Sequence, residues 1–323
     1  MEKRNAKNFR CDGAFDAIRE RKNRLSQARD IATHRPGARR RSMKPHSIIA
    51  VVDRAGQGGG GGAASLVLDS LSPAAAYSPA RQILTAYSGP LIRVRRASDN
   101  VEADIGFGVD GLLDTAALAA HCGAAIGYLT KWYDQSGNGH DLANAETAKQ
   151  WRVYSGTAAY TRNTKPAFWS TVTTGYMTVA TGFTYTELTS CGLAQWSLAN
   201  AGLYQFGSIN VGGSVSFTTV LRALAHVSQG AATIAHATGT FNQISAIIKA
   251  AGRRIWKDGT EGTAAVDVST LNQSNTGLTV GAFNTTTYGM AGYFGDQVFF
   301  TRELNDTDRQ AIEAEQKAFW GTA

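Results

Sequence analysis

The chain has 323 residues, 43% of them apolar, which is enough to bury a sizeable core and excludes wholesale disorder. Its formal charge of +7 sits at one end: residues 1–50 hold fourteen Lys/Arg against five Asp/Glu, and the remainder holds eighteen against twenty. A near-neutral main body is not built to grip a phosphate backbone, and no apolar run approaches the length of a membrane span. Cys11, Cys122 and Cys191 are too far apart for metal-ligand spacing and odd in number, so they imply neither a metal site nor a disulfide framework and read as small buried hydrophobes.

Residues 1–46 read as a basic arm. Ala14 to Ile31 carries an irregular helical stripe that Arg35-Pro36-Gly37 stops. Residues 1–42 are either an electrostatic tether, the one route to a nucleic-acid contact, or a solvated tail or coding upstream of a start at Met43; the second is the favoured reading. The segment lacks the apolar stretch of a secretory signal. Residues 47–63 comprise a strand, Ser47 to Asp53, and the flexible run Gly58–Gly62, with no Gly-Lys-Ser/Thr to make a phosphate loop.

From residue 64 to 323 the pattern is one large domain. A short helix is expected from Ser78-Pro79 through Tyr87, a strand at Leu91–Arg95, a helix at Leu112–Cys122 and a strand at Tyr128–Tyr133. Short strands follow at Tyr176–Val179, Leu188–Leu193, Leu203–Phe206, Val215–Leu224 and Ala232–Ala237. Asn242–Lys249 and Arg253–Lys257 are strands, with Asp258-Gly259 a type I′ hairpin signal. Leu278–Phe283 and Gly292–Thr301 complete the strands. Asp306–Trp320 is a closing helix capped by Asn305 or Asp306, with Ala311, Ala314 and Ala318 on one side. Many closely spaced strands and one terminal helix indicate an all-β antiparallel sandwich.

Three ordered motifs carry a resemblance. They are Ser88-Gly89-Pro90-Leu91 through Val94-Arg95-Arg96 to Ser98-Asp99, then Asp104-Ile105-Gly106, then Tyr133-Asp134-Gln135-Ser136-Gly137 through Asp141-Leu142. This order is similar to that of the catalytic domain of the fungal α-L-arabinofuranosidase B family. The stretch from Asn242 to Gly321 resembles the closing pattern of laminin G-like and other concanavalin A-like domains. Together they imply a concanavalin A-like antiparallel jelly-roll sandwich with short helices and a C-terminal helix, behind the basic arm.

The family is a retaining glycosidase, which needs two carboxylates about 5 Å apart. The resemblance places its nucleophilic Glu near Val211–Val220 and its acid/base Asp near Val280–Thr286, where Phe283-Asn284 stands; neither stretch carries an acid. Between Glu146 and Asp258 the only acid is Glu187. The resemblance also sets Cys122 opposite the first cysteine of a short family disulfide whose partner position is Gly127, and an adjacent-cysteine pair near Gly202-Leu203. These gaps lead to the expectation of a non-catalytic structural or adhesion module. On that expectation it is a bacteriophage virion protein (capsid decoration or tail), assembled in a bacterial cytoplasm beside other subunits or copies of itself. An α-L-arabinofuranosidase with relocated acids, such as Asp104, Asp134 or Glu187, stands beside it as the enzyme reading.

The candidate ligand-binding residues are Trp132, Asp134, Gln135, Asn138, His140, Asp141 and Asn284, for a surface glycan, with no catalytic residue, metal or cofactor expected. Asp134, Ser136, Asn138 and Asp141 have spacing that suits calcium, but Ala145 stands where an EF-hand needs its Glu, and Asx turns are the favoured reading. The scattered histidines His121, His140, His226 and His236 share no metal spacing. Trp132, Tyr133, Trp151 and Trp169 suit either sugar stacking or, more often, a sandwich core.

Overall fold

The computed structural model describes residues 65–171, 174–197, 201–207, 213–217, 220–224, 230–266, 271, 273–283 and 288–322. The basic arm, the Ser47–Asp53 strand, the glycine run, Cys11, His226 and Asn284 lie outside them.

Alternating apolar residues and frequent turns build an antiparallel sandwich that almost closes on itself. In one leaf the strand Glu187–Trp196 lies between Asn242–Lys249 and Gly292–Phe300, with Gly252–Lys257 at the far side of Asn242–Lys249. In the other, Met177–Tyr185, Gln273–Val280, Ala201–Phe206, Ser214–Phe217, Leu221–Leu224 and Ala232–Ile234 pair in that order. The strands Phe168–Ser170, Arg152–Tyr154, Gly127–Trp132, Ile92–Arg96 and Glu102–Ile105 run off the first leaf and carry two of the three sequence motifs and the approach to the third.

The core is aromatic. Trp132, Trp151, Phe168, Phe294 and Phe299 are all buried, and Trp151 stacks on Phe294 with centroids 4.0 Å apart and planes 9° from parallel. That stack needs a residue without a side chain beneath it. Gly281 has φ +87°, and a Cβ there would lie 2.3 Å from Trp151 Cζ2. Position 281 is therefore constrained by both backbone and space.

The hairpin at Asp258-Gly259 has φ of 54° and 85°, the two positive values a type I′ turn requires. The closing helix spans Asp306–Trp320, with Asn305 Oδ1 accepting the Asp308 amide and Gly321 ending it in the left-handed region. Its buried side is largely polar. Arg309, Ile312, Glu313, Gln316 and Trp320 face inward, whereas Ala314 and Ala318 are exposed. Polar residues can take the buried side because Arg309 pairs with Glu313, and Gln316 donates to the Cys191 carbonyl.

Two expectations are corrected. Ser78 to Tyr87 is not a helix: Ser78 Oγ accepts the Ala80 and Arg81 amides, and Gln82 Nε2 caps the carbonyls of Leu84, Thr85 and Tyr87. Side chains have replaced the helical ladder. The next helix starts at Thr115 rather than Leu112, because Asp114 accepts the Ala117 amide as its N-cap.

Cys122 and Cys191 are buried free thiols, and burial pushes Cys191 up to about 12. A Cβ at Gly127 would lie 2.7 Å from Cys122 Sγ, so the resemblance and the geometry agree on that pairing. At Gly202 there is no room for a side chain at all, since a Cβ would meet Phe283 N at 2.0 Å.

Two outcomes follow for stability. Gly281→Ala is expected to lose about 2–4 kcal/mol, combining a disfavoured positive φ with overpacking against Trp151, read as a lower denaturant midpoint at unchanged m. Gly127→Cys is expected to oxidise with Cys122, removing both thiols from titration and adding about 2 kcal/mol that reductant takes away.

Candidate functional site

The Tyr133–Leu142 segment is a clasp around Ala75–Tyr77, the first strand among the described residues. Among those residues that strand pairs only with Gly292–Phe300. On the other side Asp134 supplies the missing partners. Its Oδ1 accepts the amides of Ala76 (2.9 Å) and Ser136 (2.9 Å), and its Oδ2 accepts the Ser136 hydroxyl (2.7 Å) and the His140 amide (3.1 Å). Gln135 completes the clasp. Its amide donates to the Ala76 carbonyl, and its side chain accepts from the Ile83 amide and donates to the Arg81 carbonyl. Asn138 Nδ2 and His140 Nδ1 reach the Ala74 carbonyl, which makes Nδ1 the protonated nitrogen of His140, and the ring lies 4.2 Å from Phe183.

The ligand candidates read from the sequence therefore divide. Trp132 is fully buried with Nε1 donating to the Ser78 carbonyl, and Asp134 and Gln135 are buried with their polar atoms engaged. Internal contacts account for all three. Asn138, His140 and Asp141 reach the surface. Among the tryptophans, Trp151 is core and Trp169 is half-buried.

Asp141 belongs to a second constellation, to which all three motifs contribute. Arg93 lies opposite Asp104 on one neighbouring strand and opposite Lys131 on the other. Its guanidinium grips Asp104 through two bonds of 2.7 and 2.8 Å, and the Tyr133 hydroxyl donates to the same carboxylate at 2.7 Å. Asp141 accepts the Asp134 amide at 3.0 Å and lies 3.4 Å from Lys131 Nζ, which sits over the Tyr133 ring. The result is an outward-facing cluster of two carboxylates, a phenol and two cations, the Asp104 and Asp141 side chains being 39% and 31% exposed. The bond from Arg93, helped by that from Tyr133, holds the Asp104 carboxyl below the usual carboxylate range against the opposing effect of desolvation. Burial and the bond to Asp104 raise the Tyr133 phenol, so it remains a proton donor.

Other carboxylates are less suited to chemistry. An open groove of about 640 Å³ beside the clasp is lined by Asn138, His140, Phe183, Phe300 and Arg302, with Asp69 as its one acid. Asp69 is already occupied by the Leu66 amide and by Thr85. Glu187 accepts the Glu303 amide while Lys249 holds Glu303. The described residues Ser214–Phe217 and Val280–Phe283, where the resemblance places the family's acids, carry none. No group of three or more metal-ligating side chains occurs among the described residues.

The fold is an antiparallel β-sandwich, and the three motifs meet on one of its faces. Residues 70–212 match the family described as "Alpha-L-arabinofuranosidase B, catalytic". Alpha-L-arabinofuranosidase B of Emericella nidulans is 42% identical over 72 residues, which is 22% of this chain and 14% of that protein. Alpha-L-arabinofuranosidase of Hypocrea jecorina is 39% identical over 71 residues, again 14% of its length. The chain thus matches only a small part of these curated relatives. A solved GH54 a-l-arabinofuranosidase soaked with a cyclic sulfate inhibitor superposes with a TM-score of 0.59 at 15% identity, over 76% of this chain and 63% of that one. An arabinofuranosidase complexed with arabinofuranosyl-alpha-1,2-xylobiose gives 0.58 at 14% identity, over 76% and 63%. These structures share the sandwich fold.

One expectation is corrected by these matches. The matched family and these relatives are arabinofuranosidases, so the non-catalytic virion module is overturned in favour of the enzyme reading that stood beside it.

The clasp is testable by itself. Asp134→Ala strands the buried Ala76 amide and the part-buried amides of Ser136 and His140, and is expected to cost about 3–5 kcal/mol, seen as a large drop in melting temperature. Asn138→Ala, at the exposed rim, is expected to cost about 1 kcal/mol or less.

Proposed function

We propose that this chain is an α-L-arabinofuranosidase-type glycoside hydrolase whose carboxylates are Asp104 and Asp141. The observation that carries the reading is the convergence of the three motifs, all inside the family-matched residues 70–212, on one accessible face. Asp104, kept ionised by Arg93 and Tyr133, is assigned the nucleophile's role. Asp141, tethered by one backbone amide, is assigned the acid/base role.

In that chemistry the acid protonates the departing glycosidic oxygen while the nucleophile forms a glycosyl-enzyme bond. Water then attacks the sugar, its proton going to the conjugate base of the acid. Arg93 balances the charge of Asp104, and Lys131 lies beside Asp141 to balance it once its proton has gone to the leaving oxygen. The Tyr133 hydroxyl and Arg93 Nε both donate to Oδ1 of Asp104, so Oδ2, which accepts from Arg93 alone, is the less encumbered oxygen.

The test is release of arabinose from an α-L-arabinofuranosyl oligosaccharide. Asp104→Asn and Asp141→Asn are each expected to lower kcat about a hundredfold or more, with melting temperatures near wild type because both residues are solvent-facing. Absence of turnover in the unaltered protein overturns the assignment of activity. Full turnover in both variants overturns the choice of carboxylates.

A further inference from the structure

Farther across the same sheet that carries Arg93 and Asp104, the strands Arg152–Tyr154, Phe168–Ser170 and the start of Gly292–Phe300 lie side by side, with Arg152 opposite Trp169 and Trp169 opposite Tyr293. The Trp169 and Tyr293 rings are nearly parallel, 13° apart with centroids at 6.1 Å, and Tyr160 packs against Trp169 at 4.8 Å. Cations cover this platform. Arg162 lies 3.5 Å over Tyr293, Arg152 lies 5.6 Å over Trp169, and Lys165, across the short hairpin from Arg162, lies 4.7 Å over Phe319.

The charges here are unopposed. The sequence holds no acid between Glu146 and Glu187. The carboxylates at the neighbouring helix and strand, Glu315 and Asp296, are engaged by Arg81, and Glu313 by Arg309. Among the described residues the Arg152, Arg162 and Lys165 side chains have no acidic partner, and the Nε–H groups of both arginines have no acceptor. Elsewhere in the domain Arg81, Arg93, Arg96, Arg254 and Arg309 each hold a carboxylate. The Nε–H groups of Arg152 and Arg162 are both buried, so a ligand carboxylate meets the terminal NH2 groups, which the ring contact holds in plane.

We infer that this platform is a subsite for a carboxylate-bearing sugar, so that the domain engages acidic glycan chains through Arg152, Arg162 and Lys165, on strands other than those that carry Asp104 and Asp141. The choice of a glycan as the carrier of the carboxylate rests on the proposed glycosidase reading. The occupied ring faces make the contact one of charge and hydrogen bonding, with the aromatic platform fixing the geometry.

The face carries its own reporter. Of the six tryptophans, five are buried, and Trp169 is the accessible one. The experiment is a fluorescence titration of the full chain in 0.15 M salt (about physiological ionic strength) with a linear galacturonate trimer. Neutral arabinotriose and a thymidine trinucleotide are the comparison ligands.

Saturable quenching by the galacturonate trimer alone is expected, lost in Trp169→Phe and at least about tenfold weaker in Arg152→Gln/Arg162→Gln, the size of one charged hydrogen bond. Lys165→Gln, which leaves the ring stack intact, is expected to weaken binding about threefold, the loss of one exposed ion pair. Absence of a Trp169 response overturns the site. So does a response undiminished in the lysine and double-arginine variants, and equal quenching by the trinucleotide overturns the ligand class. Arabinose release is measured separately on a substrate without carboxylates, so failure of the hydrolase reading and failure of this subsite are distinguishable.

Discussion

One buried carboxylate organises the motif-bearing end of this protein. Asp134 stands where a strand would otherwise be expected, accepting the Ala76 amide that the Gly292–Phe300 strand cannot reach. Its four accepted bonds also shape the turn that follows, and so decide where His140 and Asp141 emerge. A neutral side chain at this point leaves several backbone donors without an acceptor, and strands the Ala76 amide in a dry place, the costliest kind of loss in a folded chain. Much of the Tyr133–Leu142 motif is thus an architectural requirement, and the surface cluster inherits its geometry from it.

That dependence separates two kinds of residue within each motif. Arg95 binds Gln150 and Asn100, Arg96 binds Asp99 and the His121 carbonyl, and Gln135 ties two loops together. These side chains hold strands and turns in place. Arg93, Asp104, Tyr133 and Asp141 stand among them on the same segments and meet at the surface instead. Structure and surface chemistry are interleaved residue by residue along these short stretches.

Much of this is legible in the sequence. The hairpin at Asp258-Gly259 and the bounds of the closing helix can be read there because turn chemistry and capping are local. The segment Ser78–Tyr87 cannot, because its conformation is set by Ser78 and Gln82 bonding to nearby backbone rather than by its apolar spacing. Spacing sets Ala311, Ala314 and Ala318 on one side of the last helix but does not say which side is buried, because it does not reveal that Arg309 and Glu313 neutralise each other. At the candidate site, Asp104, Tyr133 and Asp141 are all visible in motifs, but their association depends on the register of three strands, which no local signal fixes. The scarcity of acids between Glu146 and Asp258 reads in one dimension as missing chemistry; in three dimensions it leaves arginines without counter-charges.

The first strand has a consequence for how the chain reaches this state. Ala75–Tyr77 pairs with residues 297–299, and the strand Glu187–Trp196 also awaits Gly292–Phe300 to cover its second edge. Contacts of such long sequence separation cost loop-closure entropy before they yield stability. During synthesis the motif-rich early part therefore emerges with an unpaired strand and an unfilled clasp, and it stays incomplete until the segment near residue 300 is available. The fold is completed only when Ala75–Tyr77 and Gly292–Phe300 meet.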